Sequence, residues 1–372
     1  MSNVTALCIM GTRPEAIKMA PVVRSLRARG FHAPILATAQ HRHLLDQVLS
    51  FFGLEAEWDL DAMRPNQNLS ELFARILPEL ERLIRESGAR VVLAQGDTTT
   101  VFAAALAAFH ARVPFAHVEA GLRSGDLDAP FPEEGMRRLT SVVTALNFAP
   151  TDLSAEALRK EGCDPGTIHM VGNSVIDALL ATAARADLPW PDGVRPLAPG
   201  ERLALITLHR RENFGEPLQR ILSGLRRFAE ARPDTRLVYP VHPNPNVQGP
   251  AREALGGLPN VHLLEPVEYP YLVGLLKASH AVFTDSGGLQ EEAPALGKPV
   301  LVFREVTERP EAVAAGGVRL VGSDADAFLR EADRLWDDAA AYAEMACPRF
   351  PYGDGHTGDR IAEALARFVG LP

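Results

Sequence analysis

Short apolar runs that alternate with longer amphipathic segments constrain the fold of this 372-residue chain more than any other feature. Most of these runs are continuously apolar, which is typical of parallel strands that helices cover on both faces. The first series of runs comprises residues 6–10, 33–38, 91–95, 115–118 and 146–149, and the second comprises residues 203–207, 235–240, 261–264, 281–284, 300–303 and 318–321. The amphipathic segments comprise residues 16–29, 69–86, 99–111, 153–161 and 217–231. This alternation predicts an α/β protein with two Rossmann-like, doubly wound domains.

A proline-dense segment, residues 181–201, separates the two series of apolar runs. Proline breaks both helix and sheet, so this segment predicts a linker or an irregular surface crossing. The chain is also too long for one ordinary core. We therefore expect a first domain at residues 1–172 and a second at 173–354, facing each other across a cleft with ligands at the carboxyl ends of the strands. A last helical pattern within residues 355–372 could pack on either domain, and we favour the first.

Charge and cysteine usage exclude several classes of function. The chain has 38 Lys and Arg against 47 Asp and Glu, a formal charge of −9, which argues against nucleic acid or an anionic membrane as the main partner. Its three cysteines are far apart, so neither a disulfide framework nor a zinc site is indicated. The sequence shows no signal-peptide pattern and no apolar stretch of ~18 residues, which predicts a cytoplasmic protein. An anionic small molecule is compatible with this composition if positive charge is concentrated locally.

A strand-like run, a Ser-Gly-Gly turn and a helix-like run follow one another between Thr284 and Glu292. The first amides of a helix have no intrahelical acceptor and carry partial positive charge, and glycines let a phosphate approach the backbone. Ser286, Gly287 and Gly288 are therefore candidates for binding phosphate. An ordinary tight turn is the alternative, since short glycine-rich turns are common in α/β proteins.

The first junction between strand and helix, residues 11–18, carries two cations where the helix dipole disfavours them. Arg13 and Lys18 therefore indicate an anionic ligand, although Lys18 could instead be a solvated helix residue. Thr12 and Glu15 have the spacing of a capping box. The junction lacks the GxGxxG fingerprint, so a tightly held dinucleotide is not indicated.

Acidic residues follow the next strands of the first series. Asp97 stands where a strand gives way to a helix, so it is either an N-cap or an acid–base group. Glu119 adjoins a very apolar strand, where an isolated carboxylate is costly to bury. We expect Glu119 to be functional or to be paired, with Arg123 as the candidate partner. Glu133 and Glu134 could be a solvated acidic pair with arginines one turn further on.

Cations and histidines follow the strands of the second series. His209 is a candidate acid–base group near neutral pH. Arg210 and Arg211 offer forked donors for phosphate or carboxylate, or could form surface salt bridges to neighbouring glutamates. His242 could simply stabilise its proline-rich turn, and Arg309 lies either near the proposed phosphate site or in a solvated loop. The sequence has no HExxH or paired-cysteine spacing, so no metal site is predicted.

Together these segments resemble one family, the non-hydrolysing bacterial UDP-N-acetylglucosamine 2-epimerases. The matching blocks, in order along residues 6–322, are Gly11-Thr12-Arg13-Pro14-Glu15-Ala16-Ile17-Lys18, Gln40-His41-Arg42, Gln95-Gly96-Asp97-Thr98-Thr99, His117-Val118-Glu119-Ala120-Gly121-Leu122-Arg123, Pro132-Glu133-Glu134, His209-Arg210-Arg211-Glu212-Asn213, Asp285-Ser286-Gly287-Gly288-Leu289-Gln290-Glu291-Glu292 and Thr307-Glu308-Arg309-Pro310-Glu311. No single block is decisive, but all of them in register are highly specific.

The resemblance implies a fold similar to that of GT-B-type glycosyltransferases, with UDP held mainly by the second domain. It implies that the nucleotide is held by Arg13 and the amides of Ser286, Gly287 and Gly288 at the diphosphate, by Glu292 at the ribose hydroxyls, and by Arg309. The residues that would surround the sugar and carry or support proton transfer are Lys18, Asp97, Glu119, Glu133 and His209. Some relatives also bind a second UDP-N-acetylglucosamine as an activator, a pattern matched in part by Gln40, Glu134, Arg211 and His242.

Members of this family are thought to interconvert UDP-N-acetylglucosamine and UDP-N-acetylmannosamine by eliminating UDP to 2-acetamidoglucal and adding it back, without NAD or another cofactor. The resemblance also implies a homodimer. Within the family, a hydrolysing epimerase and an epimerase for another UDP-sugar, such as a 2,3-diacetamido uronate, remain alternatives. Outside it, a GT-B glycosyltransferase would use the same phosphate cradle. A regulator that only binds nucleotide sugars is a more distant alternative, because it would not need Asp97, Glu119 and His209 together.

Overall fold

The computed structural model describes residues 4–38, 42–64 and 67–371, with the backbone alone at 42–44. The chain divides into two compact units: unit 1 comprises Met1–Ala178 and Tyr352–Pro372, and unit 2 comprises Leu179–Pro351. The chain therefore leaves unit 1 after Ala178, whereas the sequence analysis places the boundary after residue 172. In the described part of the chain, no helix is long and apolar enough to cross a lipid bilayer.

Among the described residues, unit 1 is built on a seven-stranded sheet in which every strand pair is parallel. Its strands are β1 (Ala6–Met10), β2 (Ile35–Ala37), β3 (Trp58–Asp59), β4 (Val91–Gln95), β5 (Phe115–Val118), β6 (Leu146–Ala149) and β7 (Ile168–Met170). Their order is β3-β2-β1-β4-β5-β6-β7, so the chain winds from a central strand to one edge and then from the centre to the other. This is the predicted doubly wound arrangement, and such sheets bind ligands at the carboxyl ends of their central strands.

Burial explains which strands of unit 1 the sequence reveals. Strands β1, β4, β5 and β6 are buried at every position, which confirms that continuously apolar runs mark strands covered on both faces. The edge strands β3 and β7 were not predicted. They are two and three residues long and partly exposed, so they lack a continuous apolar run.

The helices of unit 1 up to the crossing are α1 (Arg13–Ala28), α2 (Arg42–Phe51), α3 (Leu69–Glu86), α4 (Thr99–Ala111), α5 (Glu133–Val143), α6 (Asp152–Lys160) and α7 (Ser174–Ala183), the last of which continues past Ala178. Helices α3 and α4 have the predicted bounds. Asn68 and Glu71 form a capping box that fixes where α3 begins. Leu72, Ile76 and Leu80 repeat at helical spacing and are buried, so α3 presents one apolar face to the core.

Unit 2 contains a six-stranded sheet within its described residues, again with every pair parallel. Its strands are β8 (Arg202–Thr207), β9 (Thr235–Pro240), β10 (Val261–Leu264), β11 (Ala281–Thr284), β12 (Val300–Val302) and β13 (Val318–Leu320), in the order β10-β9-β8-β11-β12-β13. Its helices are α8 (Glu216–Ala231), α9 (Pro245–Leu255), α10 (Tyr269–Ala278), α11 (Gly287–Ala295), α12 (Pro310–Ala314), α13 (Ala325–Asp337) and α14 (Ala339–Met345). The second predicted Rossmann-like domain is therefore confirmed, with β8 and β11 as its central strands.

The last helix, α15 (Thr357–Val369), belongs to unit 1, where it packs on α1. The two helices approach closely at Gly358. A Cβ added there would lie only 2.9 Å from the carbonyl oxygen of Pro21, so a larger residue would not fit. Asp177 lies on α7 and is buried, and its Oδ1 accepts a hydrogen bond from the Gly358 amide at 2.8 Å. Asp177 therefore caps the start of α15 from a neighbouring helix.

We expect Asp177→Ala to lower the free energy of unfolding of unit 1 by about 1 kcal/mol, the usual cost of losing a side-chain acceptor at a helix start. Asp177→Asn keeps an oxygen in the same place and should unfold close to the wild type. Urea unfolding followed by circular dichroism measures both variants. Equal stability of Asp177→Ala and the wild type would contradict the capping role.

Candidate functional site

Strands β1, β4 and β5 are neighbours, so the residues that follow them lie along one edge of the sheet of unit 1. Glu119 comes directly after β5 and is only 7% exposed. Its φ of +65° is unusual for a residue other than glycine and turns the chain sharply at the strand end. A buried carboxylate is costly unless donors surround it, so the contacts of Glu119 decide what it can do.

Three side chains from separate parts of unit 1 donate to the Glu119 carboxylate. Lys18 Nζ on α1 lies 2.6 Å from Glu119 Oε2, and Gln95 Nε2 at the end of β4 donates to the same oxygen. Asn173 Nδ2, just before α7, lies 2.9 Å from Oε1. Lys18 is therefore an ion-pair partner within the candidate site, and the alternative of a solvated helix residue is wrong.

The expected partnership between Glu119 and Arg123 is also wrong. Arg123 Nη2 instead lies 2.6 Å from Glu161 Oε2 at the end of α6. Residues 119–121 form a turn rather than a helix, so a spacing of four does not bring the two side chains together.

Asp97 lies at the same sheet edge as Glu119, after β4, and pairs with a cation. Its Oδ2 accepts from Arg137 Nη2 at 2.6 Å and from Arg137 Nε at 2.9 Å. The N-cap of α4 is Thr98, whose side chain accepts from the Val101 amide, so the capping interpretation of Asp97 is wrong. Asp97 remains a partly exposed carboxylate that an arginine holds in place.

Glu133 and Glu134 begin α5 and have different environments. Glu134 is fully buried and accepts from the Ser124 amide at 3.1 Å and from Arg137 Nη1 at 3.1 Å. Burial alone would raise the pKa of Glu134, but the Ser124 amide and Arg137 together lower it below its ordinary value. A solvated acidic pair is thus wrong for Glu134, which braces its loop. Glu133 has a buried Oε2 with no hydrogen-bond partner among the described residues, which marks it as a candidate for contact with a ligand.

His117 holds the loop that carries Asp97. Its ring is buried, and burial lowers its pKa to about 4, so the ring is neutral at pH 7. Its Nε2 lies 2.7 Å from the carbonyl oxygen of Gly96 and must therefore donate the proton. The strand end of β5 and the loop after β4 are thus joined beside Asp97.

Glu15 organises the turn that presents Arg13. Its carboxylate is 2% exposed and accepts from the Gly11 amide at 2.6 Å, while the Thr12 hydroxyl accepts from the Glu15 amide. The predicted capping spacing is thus realised with Gly11 as the backbone donor. Burial raises the pKa of Glu15 to about 7.

The raised pKa of Glu15 predicts a specific dependence of stability on pH. Between the ordinary glutamate pKa of 4.5 and about 7, the folded chain keeps a proton that the unfolded chain releases. The free energy of unfolding therefore falls as pH rises through this window, because the folded state binds more protons. Glu15→Gln has no such proton, so its stability relative to the wild type should rise across the window. Urea titrations of both proteins at each end of it provide the test, and a constant difference would rule out this assignment.

In unit 2, a buried carboxylate joins the loops after the central strands β8 and β11. Asp285, directly after β11, is 0% exposed. It accepts from the amides of His209 and Arg210, each at 3.0 Å, and from Asn213 Nδ2 at 3.0 Å. These bonds fix the segment that carries His209 against the Ser-Gly-Gly turn.

The predicted strand, turn and helix start around Ser286 are confirmed, since α11 begins at Gly287 with Ser286 as its N-cap. The Ser286 amide donates to Thr284 Oγ1 at 2.8 Å within the turn. The amides of Gly287 and Gly288 and the Ser286 hydroxyl are further hydrogen-bond donors at the start of α11. A Cβ at Gly287 would lie 3.2 Å from Arg210 Nη2, so a guanidinium adjoins the helix N-terminus and adds to its positive potential.

Arg309 is attached to α11. Its Nε donates to Glu291, which is 3% exposed, and its amide donates to Thr307 Oγ1 at 3.0 Å. Thr307 Oγ1 in turn donates to Gln290 Oε1 at 2.6 Å. Arg309 is therefore held against α11, the helix that follows the proposed phosphate turn, and the alternative of a solvated loop is wrong. Glu292 lies on the same helix, with Oε1 3.4 Å from a Cβ built on Gly288.

The two histidines of unit 2 lie near each other. The rings of His209 and His242 are stacked with centroids 6.0 Å apart, and burial lowers the pKa of His209. His242 Nδ1 accepts from the Asn244 amide at 3.2 Å, so it does stabilise its proline-rich turn. Surface salt bridges from Arg210 and Arg211 to Glu212 and Glu216 were the alternative to phosphate binding. Glu212 instead pairs with Arg304, and Glu216 pairs with Arg220.

The residues considered for a second UDP-sugar site belong to both units. Gln40 lies outside the described residues. Glu134 belongs to unit 1, and its carboxylate is fully occupied by donors of its own loop and helix. Arg211 and His242 belong to unit 2.

Sequence reasoning missed several contributors to these two clusters. Gln95 and Asp285 stand in motifs that it singled out, and their position at the end of a central strand was the available signal. Asn173 stands in no such motif, and only the fold brings it to Glu119. A cavity of about 440 Å³ beside the carboxyl end of β10, lined in part by Pro266 and Val267, was also not anticipated.

Two doubly wound α/β units, one with ordered carboxylates and one with a glycine-rich helix start at the central strands, are typical of the GT-B-type class of folds. The family model described as UDP-N-acetylglucosamine 2-epimerase matches residues 24–366. The UDP-N-acetylglucosamine 2-epimerase of Escherichia coli K12 is 46% identical over 372 residues, covering 96% of this chain and 97% of that protein. The chain belongs to the UDP-N-acetylglucosamine 2-epimerase family.

Solved structures agree with this family. The UDP-N-acetylglucosamine 2-epimerase of Neisseria meningitidis, bound to UDP-N-acetylglucosamine, is 43% identical with a TM-score of 0.89, over 98% of this chain and 100% of that one. The MnaA protein of S. aureus in complex with UDP is 40% identical with a TM-score of 0.87, over 99% of this chain and 98% of that one. The predicted GT-B-type fold and the predicted family are thus confirmed.

Proposed function

We propose that this protein interconverts UDP-N-acetylglucosamine and UDP-N-acetylmannosamine by eliminating UDP and adding it back. The observation that carries the proposal is the Glu119 carboxylate, which is buried at the edge of the central strands yet held in one orientation by donors from three segments. Family membership over nearly the whole chain supports the choice of substrate. No hydride changes hands in this route, so no redox cofactor is required.

The chemistry explains why such a site is needed. Carbon 2 of the sugar has no adjacent carbonyl, so its proton is not acidic enough for simple removal. In the elimination, a base takes the C2 proton, the C–H electrons form the C1=C2 double bond, and the C1–O bond breaks with its electrons leaving on UDP. The resulting 2-acetamidoglucal is protonated at C2 from the other face while a UDP oxygen rebonds to C1. Proton transfer on two faces requires two or more positioned acid–base groups.

Unit 1 supplies the acid–base groups in this proposal. Glu119, Asp97 and Glu133 are the carboxylates that would exchange the C2 proton and assist UDP departure. Lys18 orients Glu119, and Arg13 would meet the diphosphate at the start of α1.

Unit 2 supplies the nucleotide-binding groups. The start of α11, at Gly287 and Gly288, would stabilise the negative charge that develops on the departing diphosphate, with Ser286 and Arg309 beside it. Glu292 would bind the ribose hydroxyls, and His209 would support proton transfer. The cavity beside β10 is a candidate site for the uracil base of UDP. It lies at the carboxyl ends of the strands of unit 2, the edge from which α11 also begins.

The decisive experiment is incubation of the wild type with UDP-N-acetylglucosamine in heavy water, without acceptor or NAD. Elimination and readdition predict deuterium at C2 in both epimers, as measured by NMR and mass spectrometry. A glycosyltransferase would leave C2 protonated and would overturn the proposal. Accumulation of free N-acetylmannosamine together with UDP would instead establish a hydrolysing epimerase.

Variants of Asp97 and Glu119 test whether these carboxylates act in proton transfer rather than in UDP binding. Asp97→Asn and Glu119→Gln should each lose turnover by about 100-fold or more, the range expected for an acid–base group, while keeping UDP affinity in calorimetry. Glu156→Gln, an exposed carboxylate on α6, is the matched control and should behave as the wild type. Normal turnover in both test variants would refute the acid–base roles.

The substitution Gly288→Ala tests whether the start of α11 binds the diphosphate. A Cβ at Gly288 would meet nothing closer than Glu292 Oε1 at 3.4 Å, so Gly288→Ala fits the unliganded fold. The methyl group would nevertheless keep a phosphate off the helix amides, so UDP affinity should fall by about tenfold or more. Gly249→Ala in α9, where no described atom lies within 4 Å of the new Cβ, is the matched control and should bind UDP normally. Unchanged UDP binding by Gly288→Ala would place the diphosphate elsewhere.

A further inference from the structure

Asn173 stands at the carboxyl side of β7, two residues beyond Val171 and directly before α7. Its side chain is 2% exposed. Its Oδ1 accepts from the Val175 amide at 3.1 Å, which leaves the Nδ2 group facing Glu119 Oε1 at 2.9 Å. The contact with Val175 therefore fixes the orientation of the Asn173 side-chain amide, and in that orientation its Nδ2 donates to Glu119.

The hydrogen bond from Asn173 holds the second oxygen of the Glu119 carboxylate. Lys18 and Gln95 both donate to Oε2, whereas Asn173 donates to Oε1. Donors on a single oxygen would leave the carboxylate free to rotate about its last bond. Donors on both oxygens fix its plane as well as its position, which matters for a group that must meet one C–H bond.

Asn173 is itself anchored from a distant part of the sequence. Its backbone amide donates to the Tyr352 carbonyl oxygen at 2.5 Å, and Tyr352 is the residue at which the chain re-enters unit 1. A Cβ added at Gly172 would lie 3.0 Å from Gly353 Cα, so the two segments pack backbone to backbone. The backbone that carries the Asn173 side chain is therefore fixed by the segment at Tyr352 and Gly353.

We infer that Asn173 is a positioning residue for the epimerisation, which holds the Glu119 carboxylate in the orientation that proton transfer at C2 requires. This role rests on the proposed function of Glu119. Asn173 acts through Glu119, so its side chain should matter for turnover and for C2 exchange but not for binding of UDP.

Two substitutions separate positioning from structure. Asn173→Asp keeps an oxygen that can accept from the Val175 amide and keeps the backbone bond to Tyr352, but it replaces the donor to Glu119 with a second carboxylate. Asn173→Ala removes the side-chain contacts to Glu119 and to the Val175 amide. Asn147→Ala on β6 is the matched control, because Asn147 is an equally buried asparagine of the same sheet that is not a donor to Glu119.

The measurements are kcat, KM, UDP affinity by calorimetry, C2 deuterium exchange and the thermal midpoint. We expect kcat and the exchange rate to fall about tenfold to a hundredfold in Asn173→Asp and Asn173→Ala, the effect of losing a hydrogen bond to a charged group, with UDP affinity within about twofold of the wild type. Asn147→Ala should keep both rates even if its thermal midpoint falls.

The outcomes separate this inference from the proposed function. A wild type that shows no C2 exchange would overturn the proposed function itself. A wild type that exchanges C2, together with a folded Asn173→Asp that turns over normally, would overturn the positioning role alone. Equal losses of UDP affinity and of kcat in Asn173→Asp would also overturn it, because they would indicate a purely structural residue.

Discussion

The structure depends on the cost of burying a carboxylate at the end of a parallel strand. Glu119 in unit 1 and Asp285 in unit 2 are both almost inaccessible to water, and neither could remain there without several donors. Each carboxylate therefore draws together loops that follow different strands. Glu119 collects donors from α1, β4 and the segment before α7, and Asp285 collects the amides of His209 and Arg210.

The two carboxylates serve different purposes. Asp285 accepts mainly from backbone amides, so it fixes the shape of a loop and orients the Ser-Gly-Gly turn. Glu119 accepts from side chains on both of its oxygens, so it is itself the ordered group. The same physical requirement thus yields a rigid glycine-rich loop in one unit and an oriented carboxylate in the other.

Much of this could be predicted from local sequence patterns. Continuous apolar runs identified β1, β4 and β11 because these strands are covered on both faces. The capping spacing of Thr12 and Glu15 marked the start of α1. Residues after central strands, among them Asp97, Glu119 and Ser286, were recognisable as candidates because parallel strands end at one edge.

The partners of these residues could not be predicted, because they depend on tertiary contacts between distant positions. Lys18 and Glu119 are 101 residues apart in sequence, so no local spacing relates them. Arg123 was the nearer cation but faces Glu161, since the chain turns at Glu119. Asn173 lies in an unremarkable segment, and only the order of the strands brings it to the same edge.

The central claim is that the Glu119 carboxylate is held where the sugar reacts. A crystal structure of the Glu119→Gln variant with UDP-N-acetylglucosamine tests it most directly, because the variant should bind the sugar without converting it. The account predicts that C2 of the sugar lies within about 3.5 Å of the side chain at position 119, the distance expected of reacting groups. A sugar bound elsewhere, with residue 119 still facing Lys18 and Asn173 but not the ligand, would contradict it.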